Sequence, residues 1–195
     1  MLLVRESRND GKLYVINIVD SIVNADTLVD IYKIDETVYH SEERSTMNQI
    51  MDRFVSNKNG YLLAYSGNKL IGYLSYFPIN NRCRDKLLNN DDFMDGCIDS
   101  THILENKLQG SSVYIISIAV LPEYHGLGLG MTLIKELDKR FDYLNNIYGC
   151  EEFIATAVTD SGARILTNSG FNKLKTKSNN YCVMCKQGGF NVDEI

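Results

Sequence analysis

Gly126, Gly128 and Gly130 take alternate positions in SIAVLPEYHGLGLGMTLIKEL, where a β-branched run gives way to a helical pattern. A helix start presents backbone N–H groups that have no partner inside the helix, together with the positive end of the helix dipole. Glycines just ahead of it let the backbone approach an anion with no Cβ in the way. The chemistry this spacing supports is the holding of a phosphate group. His125, directly before the glycines, adds a side chain able to donate a hydrogen bond.

Three phosphate-holding designs can be told apart. A Walker A loop ends in Gly-Lys-Ser/Thr, whereas Gly130 is followed by Met131 and Thr132, so no lysine reaches the phosphates. A Rossmann fingerprint has G-x-G-x-x-G and an acidic residue about 20 positions on; here the spacing is G-x-G-x-G, and Glu151, near that distance, opens a strand. The third design fits. IAVLPEYHGLGLGMTLI resembles the acetyl-CoA signature of the GNAT superfamily of N-acetyltransferases, a strand, a Pro, then Gln/Arg-x-x-Gly-x-Gly/Ala and a helix. His125, Gly128 and Gly130 stand at the three motif positions, with Gly126 as a companion. Further along, GARILTNSGFNKL resembles the second region of that superfamily, a helix ending in Gly-Phe and running into a strand. The resemblance is specific over residues 113–175, looser over the hairpin from Tyr61 to Ile79, and has no counterpart for residues 80–110.

The resemblance implies an α/β (α+β) fold with a mixed, largely antiparallel central sheet flanked by helices. Residues 1–195 form one domain with an insert at about 80–110. Backbone N–H groups of His125, Gly126, Leu127, Gly128, Leu129, Gly130 and Met131 would hold the pyrophosphate of acetyl-CoA. Ile118, Ala119 and Val120 would pair with the pantetheine arm as an added strand does. A backbone N–H near Val120 would stabilise the charge developing on the thioester oxygen. The acceptor is then a primary amine, on a small molecule or a protein, and no metal is needed.

Two residues depart from the family pattern. His125 stands where Gln or Arg is usual. Leu166, counted back from Gly170-Phe171, fills the place of a Tyr that serves as general acid, and a leucine cannot protonate a thiolate. The alternative function is therefore a coenzyme A binding module or sensor with little turnover. For a general base, Thr156, Ser117 and Tyr114 lie on the strands near the motif, while Glu123, Asp91, Asp92, Asp95 or a water chain could serve. Tyr181 is a further candidate acid. The acidic stretch NNDDFMDGCID suits a polyamine or other cationic acceptor.

These residues must be positioned by the elements around them. Lys12 to Val19 reads as a first strand, and Asp26 or Thr27 caps a helix running towards His40. A second helix follows Ser41, with Glu42 and Glu43 in its first turn and Met47, Ile50, Met51 and Phe54 on one face. YLLAYSGNKLIGYLSYFPI is a hairpin turning at Gly67-Asn68, ended by Pro78. STHILENKL forms a short helix. Tyr114 to Leu121 is an apolar strand, and Leu133, Ile134, Leu137, Phe141 and Leu144 make one helical stripe. Phe153 to Val158 is a strand, Asp160 or Ser161 starts a helix capped by Gly170, and Phe171 to Leu174 and Tyr181 to Lys186 are the last strands. Residues 188–195 form a frayed tail.

Composition narrows the class. With 195 residues and 44% hydrophobic content, the chain has the length and core of one globular domain. No apolar run approaches the roughly 20 residues that cross a bilayer, and Arg5 and Glu6 interrupt any signal-peptide region; a cytoplasmic protein without a membrane partner is expected. Five cysteines without framework spacing argue against a disulfide scaffold, and a lone C-x-x-C at Cys182 and Cys185 is short of a zinc site. A net charge of −5 argues against nucleic acid as partner. The oligomeric state, monomer or homodimer, stays open.

Overall fold

In the computed structural model of the chain, residues 3–9, 12–20, 24–105 and 111–188 are described. An edge strand, β1 (Leu3–Asn9), and its neighbour β2 (Lys12–Val19) are followed by α1 (Ala25–Val38) and α2 (Met47–Ser56). The hairpin β3 (Tyr61–Ser66) and β4 (Lys69–Ile79) turns on Gly67, whose φ of 58° is the left-handed value a tight primed turn needs. Next come α3 (Asn81–Asn89), β5 (Ser111–Val120), α4 (Leu129–Asp138), α5 (Phe141–Tyr148) and β6 (Cys150–Ala157). The described chain closes with α6 (Asp160–Asn168), β7 (Asn172–Thr176) and β8 (Cys182–Gln187).

The strands form one sheet in the order β1-β2-β3-β4-β5-β6-β8-β7. Among the described strands every neighbouring pair is antiparallel except β5 and β6. The expected mixed, largely antiparallel sheet is thus present. Its two faces are covered differently. On one, Leu133, Leu137, Phe141, Leu144 and Leu166 of α4 to α6 pack on Leu62, Leu74, Ile115 and Phe153. On the other, Leu28, Ile31 and Ile34 of α1 and Ile50 of α2 pack on Leu63, Tyr73 and Phe77, while Cys83 and Leu87 of α3 cover Tyr114 and Ile154. No helix among the described residues is long and apolar enough to cross a membrane.

Several sequence expectations need correcting. β1 was not expected: Glu6, Ser7 and Arg8 give it no apolar alternation, and as an edge strand it pairs on one side only, with β2. α2 begins at Met47 rather than at Glu42, because Thr46 and Gln49 form a reciprocal capping box. Pro78 does not end β4; it lies within the strand, opposite Val113. The stretch 80–110 opens with a full helix, α3, capped by the Asn80 side chain on the Cys83 N–H. The helix expected over STHILENKL is only a 3-10 turn at Ser100–His102, after which Ile103 bridges Ile79; residues 106–108 lie outside the described chain, as do 189–195 of the expected tail. The motif helix is two helices, yet Leu137, Phe141 and Leu144 keep one buried face across the break. Thr159 is the cap of α6, in place of Asp160 or Ser161. Cys182 and Cys185 pack against the cores on opposite faces of the sheet, as residues three apart on a strand must.

Candidate active site

The parallel pairing of β5 with β6 stops at Ile115 and Ala155. Beyond it β5 continues along β4 to Val120, and β6 continues along β8 to Ala157, so the two strands part. The Leu121 N–H donates to Ile71 O at 2.9 Å. With that pair bonded, antiparallel alternation directs the N–H and C=O of Val120 and Ile118 away from β4 and into the gap. Those are backbone groups in the geometry an added strand would use. Ala119 instead bonds to Tyr73 of β4, and its side chain is buried on the α1 side.

A bulge marks the fork. Ser117 pairs with Ser75 and Ile115 with Tyr76, which leaves Ile116 as the extra residue. Ile116 and Ser117 are consecutive, yet both meet the α1 face: Ile116 packs there and the Ser117 hydroxyl contacts Tyr73 and Tyr39. The bulge thereby re-aims Ser117 from the α4 face to the α1 face.

After β5 a 3-10 turn, Pro122–Tyr124, leads into the glycine loop. Leu127 and Leu129 are 3% and 2% exposed and anchor the loop in the core, while Gly126 and Gly128 between them lie exposed. Both glycines have left-handed φ, 80° and 71°. Gly128 is the N-cap of α4 and supplies no side chain to cap it. Thr132 N–H is bonded to Gly128 O at 3.1 Å, so the N–H groups of Leu129, Gly130 and Met131, one turn earlier, have no partner within α4. Gly130 has another task. A Cβ there would come to 3.2 Å from Ile165 Cδ1, so this glycine sets the close packing of α4 on α6. Gly130→Ala is expected to change stability by less than about 1 kcal/mol, read from the urea midpoint, because the helix propensity of alanine offsets the few tenths of an ångström by which the Ile165 methyl must give, and ligand affinity should change little.

His125 turns back onto the strand. Its Nε2 donates to Val120 O at 2.9 Å, and its backbone N–H donates to Pro122 O at 3.0 Å. The run of N–H groups open to a phosphate therefore begins at Gly126.

Two polar clusters lie on the α1–α3 side of the fork. In the first, the Tyr114 hydroxyl contacts an Asp95 carboxylate oxygen and sits 2.8 Å from Thr156 Oγ1. Thr156 follows Ala155, the last β6 residue paired with β5. Burial pushes the Asp95 carboxyl up to about 6, and holds the Tyr114 phenol far above its ordinary value and so protonated. The second cluster runs from Asp35 of α1 through Tyr73 and Ser117 to Tyr39, whose hydroxyl donates to Ile118 O at 3.0 Å. Asp35 is 3% exposed, and burial pushes its carboxyl up to about 7.

The other expected acid–base residues go elsewhere. Glu123 is paired with Lys69 at 2.8 Å and Asp91 with Lys175 at 2.6 Å, each holding the carboxyl below its ordinary value. The Tyr181 hydroxyl donates to Glu43 Oε1 at 3.0 Å, joining the β7–β8 and α1–α2 connections. Leu166 is 3% exposed, packed in the core on the α4 face of the sheet. Among the described residues no group of three His, Cys, Asp or Glu could hold a metal ion.

A family model described as acetyltransferase (GNAT) family matches residues 25–171. The chain belongs to that family. Solved structures agree on the fold. The loading GNATL domain of CurA from Lyngbya majuscula superposes with a TM-score of 0.67 at 16% identity, covering 89% of this chain and 96% of that one. Arabidopsis thaliana Naa50, in complex with a bisubstrate analogue, gives 0.59 at 16% identity over 90% and 99%. The ribosomal-protein-S18-alanine N-acetyltransferase from Escherichia coli gives 0.56 at 13% over 92% and 98%. No curated protein matches. In this GNAT chain Asp35, Tyr39 and Tyr73 escape the sequence reading, as does Arg53, whose guanidinium donates to Ile98 O at 3.1 Å and Ser45 Oγ at 2.7 Å; for Asp35 and Arg53 a trace is present. Asp35 follows Leu28 at i+7 and Ile31 at i+4 on the buried stripe of α1, and Arg53 follows Ile50 at i+3 on that of α2. A charge at a core position of an amphipathic helix was the signal.

Proposed function

We propose that this GNAT protein transfers the acetyl group of acetyl-CoA to a primary amine. The observation that carries the reading is the open edge of β5 at Ile118 and Val120, which leads within ten residues to a helix start without a side-chain cap. The pyrophosphate would lie on the N–H groups from Gly126 to Met131, with Leu127 and Leu129 holding the loop from below. The pantetheine amides would add to the edge of β5, which brings the thioester to the fork. There an open-edge N–H of β5 would stabilise the oxyanion.

Asp95 suits the general base. A carboxyl that titrates near 6 is ionised at neutral pH and still basic enough to take a proton. Tyr114 and Thr156 connect it to the gap, so the proton of an attacking amine would pass by their hydroxyls to Asp95. The rate is expected to fall as pH drops through 6 and Asp95 protonates. Tyr114→Phe cuts the connection and should lower kcat about tenfold, with KM for acetyl-CoA unchanged.

The acceptor is an amine on a small molecule or on a protein. Measuring thiol released from acetyl-CoA over a panel of amines and N-terminal peptides tests the activity; no release above background from a folded protein removes it. Leu166 supports the second reading, a coenzyme A sensor, because no hydroxyl stands at that place to protonate the leaving thiolate. Calorimetry separates the two: acetyl-CoA that binds and never turns over is the sensor's result.

A further inference from the structure

The cluster from Asp35 to Ile118 has a shortage of hydrogens. It contains four contacts in series: Asp35 with Tyr73, Tyr73 with Ser117, Ser117 with Tyr39, and Tyr39 with Ile118 O. Three hydroxyls, each with one hydrogen, serve them, and the last acceptor is a carbonyl with none to give. Tyr73 stands within reach of both Asp35 and Ser117 and can donate to only one. A neutral Asp35 supplies the fourth hydrogen. All four contacts are then made in one direction, from Asp35 to Tyr73, Ser117, Tyr39 and Ile118 O, each bond polarising the next. An ionised Asp35 leaves one contact unserved. Its charge draws the hydroxyl dipoles towards itself, so Tyr39 donates to Ser117, Ser117 to Tyr73 and Tyr73 to Asp35, and Ile118 O loses its donor.

We infer that Asp35 is a positioning residue for the donor arm: neutral, it starts a one-way chain of hydrogen bonds that ends on the open-edge carbonyl of Ile118, and ionisation turns the chain round and uncaps that carbonyl. The role rests on the reading of this edge as the donor's. The uncapped state sets the lone pairs of the Tyr39 oxygen against those of Ile118 O, 3.0 Å away, beside the groups that would hold the pantetheine. The surroundings bring the switch into the neutral range. Burial raises the Asp35 carboxyl to about 7, while Arg53 from α2 and Arg44 from the α1–α2 connection pull it down. Tyr61 of β3, Tyr73 of β4 and Tyr39 beyond α1 face the same region, and all three stay protonated because burial raises them.

The sequence offers a direct probe. Ile118–Ala119 and Ile154–Ala155 are its two Ile–Ala bonds, so protein labelled with ¹³C-carbonyl isoleucine and ¹⁵N-alanine shows two linked signals. The Ile118 carbonyl is expected to titrate with a midpoint near 7. In Asp35→Asn, whose amide donates to Tyr73 at every pH, and in Tyr39→Phe, that titration is absent, while the Ile154 signal reports an intact sheet. A second arm measures acetyl-CoA by calorimetry at pH 6 and 8.5. Kd should rise about fivefold in the wild type, the worth of one net hydrogen bond, and stay level in Asp35→Asn. An Ile118 signal that does not move, or moves unchanged in Asp35→Asn, overturns the chain. A titrating carbonyl with a pH-independent Kd overturns the positioning role. No binding at either pH overturns the donor reading itself, and with it the role.

Discussion

Gly128→Asp weakens acetyl-CoA binding about 100-fold, read by calorimetry, with the circular dichroism spectrum unchanged. Gly128 is the N-cap of α4 at φ 71°, exposed and without a capping side chain. Aspartate tolerates the left-handed region better than most residues and is a good helix cap, so the fold survives. Its carboxylate then bonds to the N–H groups of the first turn and competes with the phosphates for them. At about 5 Å and an effective dielectric of about 20, one like charge opposes a phosphate by roughly 3 kcal/mol, the size of the expected loss. Gly128→Asn has nearly the same shape and backbone cost but no charge, and should lose no more than about threefold. Equal losses in the two variants would mean that geometry and not phosphate charge decides binding. An unchanged affinity in the aspartate variant would remove the loop from the site.

Asp35→Asn makes the protein less sensitive to alkaline pH. The folded carboxyl titrates near 7 against an ordinary 3.8, because folding buries it. The sign follows from where the proton sits. Below pH ~4 both folded and unfolded states hold it; between about 4 and 7 only the folded state does, so stability falls as pH rises; above about 7 neither does and the loss is complete. Between pH 5 and pH 8 the wild type should lose about 3 kcal/mol relative to Asp35→Asn, measured as the difference of urea unfolding curves at each pH. Parallel pH dependences in the two proteins would show that Asp35 ionises in the folded state as it does in the unfolded chain. The same carboxyl is what the Ile118 titration follows, so stability and the strand edge should change over one pH range.

Local patterns carried the fold where one residue type has one physical meaning. The Gly-Asn turn, the apolar run of β5 and the stripe on α4 and α5 read directly, since period and turn chemistry act over a few residues. Where the decision was made by capping or by partners, the sequence misled: Thr46 and Gln49 start α2 four residues past the acidic pair, and polar β1 exists because β2 offers it an edge. The three glycines looked alike in sequence and are not. Gly126 and Gly128 take left-handed φ, whereas Gly130 does not and instead stands where α4 packs closely on Ile165 of α6, 35 positions on.

The sequence by itself determined the family signature and the place of a glycine-led helix start without a side-chain cap, because both rest on contiguous residues and on backbone groups that any side chain leaves in place. It also named Tyr114, Thr156, Ser117 and Asp95 among many candidates, without relating them. Only the tertiary structure decided which of them meet. Asp95 reaches Tyr114 because the 90–103 segment folds over β5, and Ser117 reaches Tyr39 and Tyr73 because a one-residue bulge turns it to the α1 face. Asp35 acquires its raised titration from burial under α2 and the sheet, which no local pattern encodes: a carboxyl in water and one in a core are the same letter, and the difference is the solvent that folding removes.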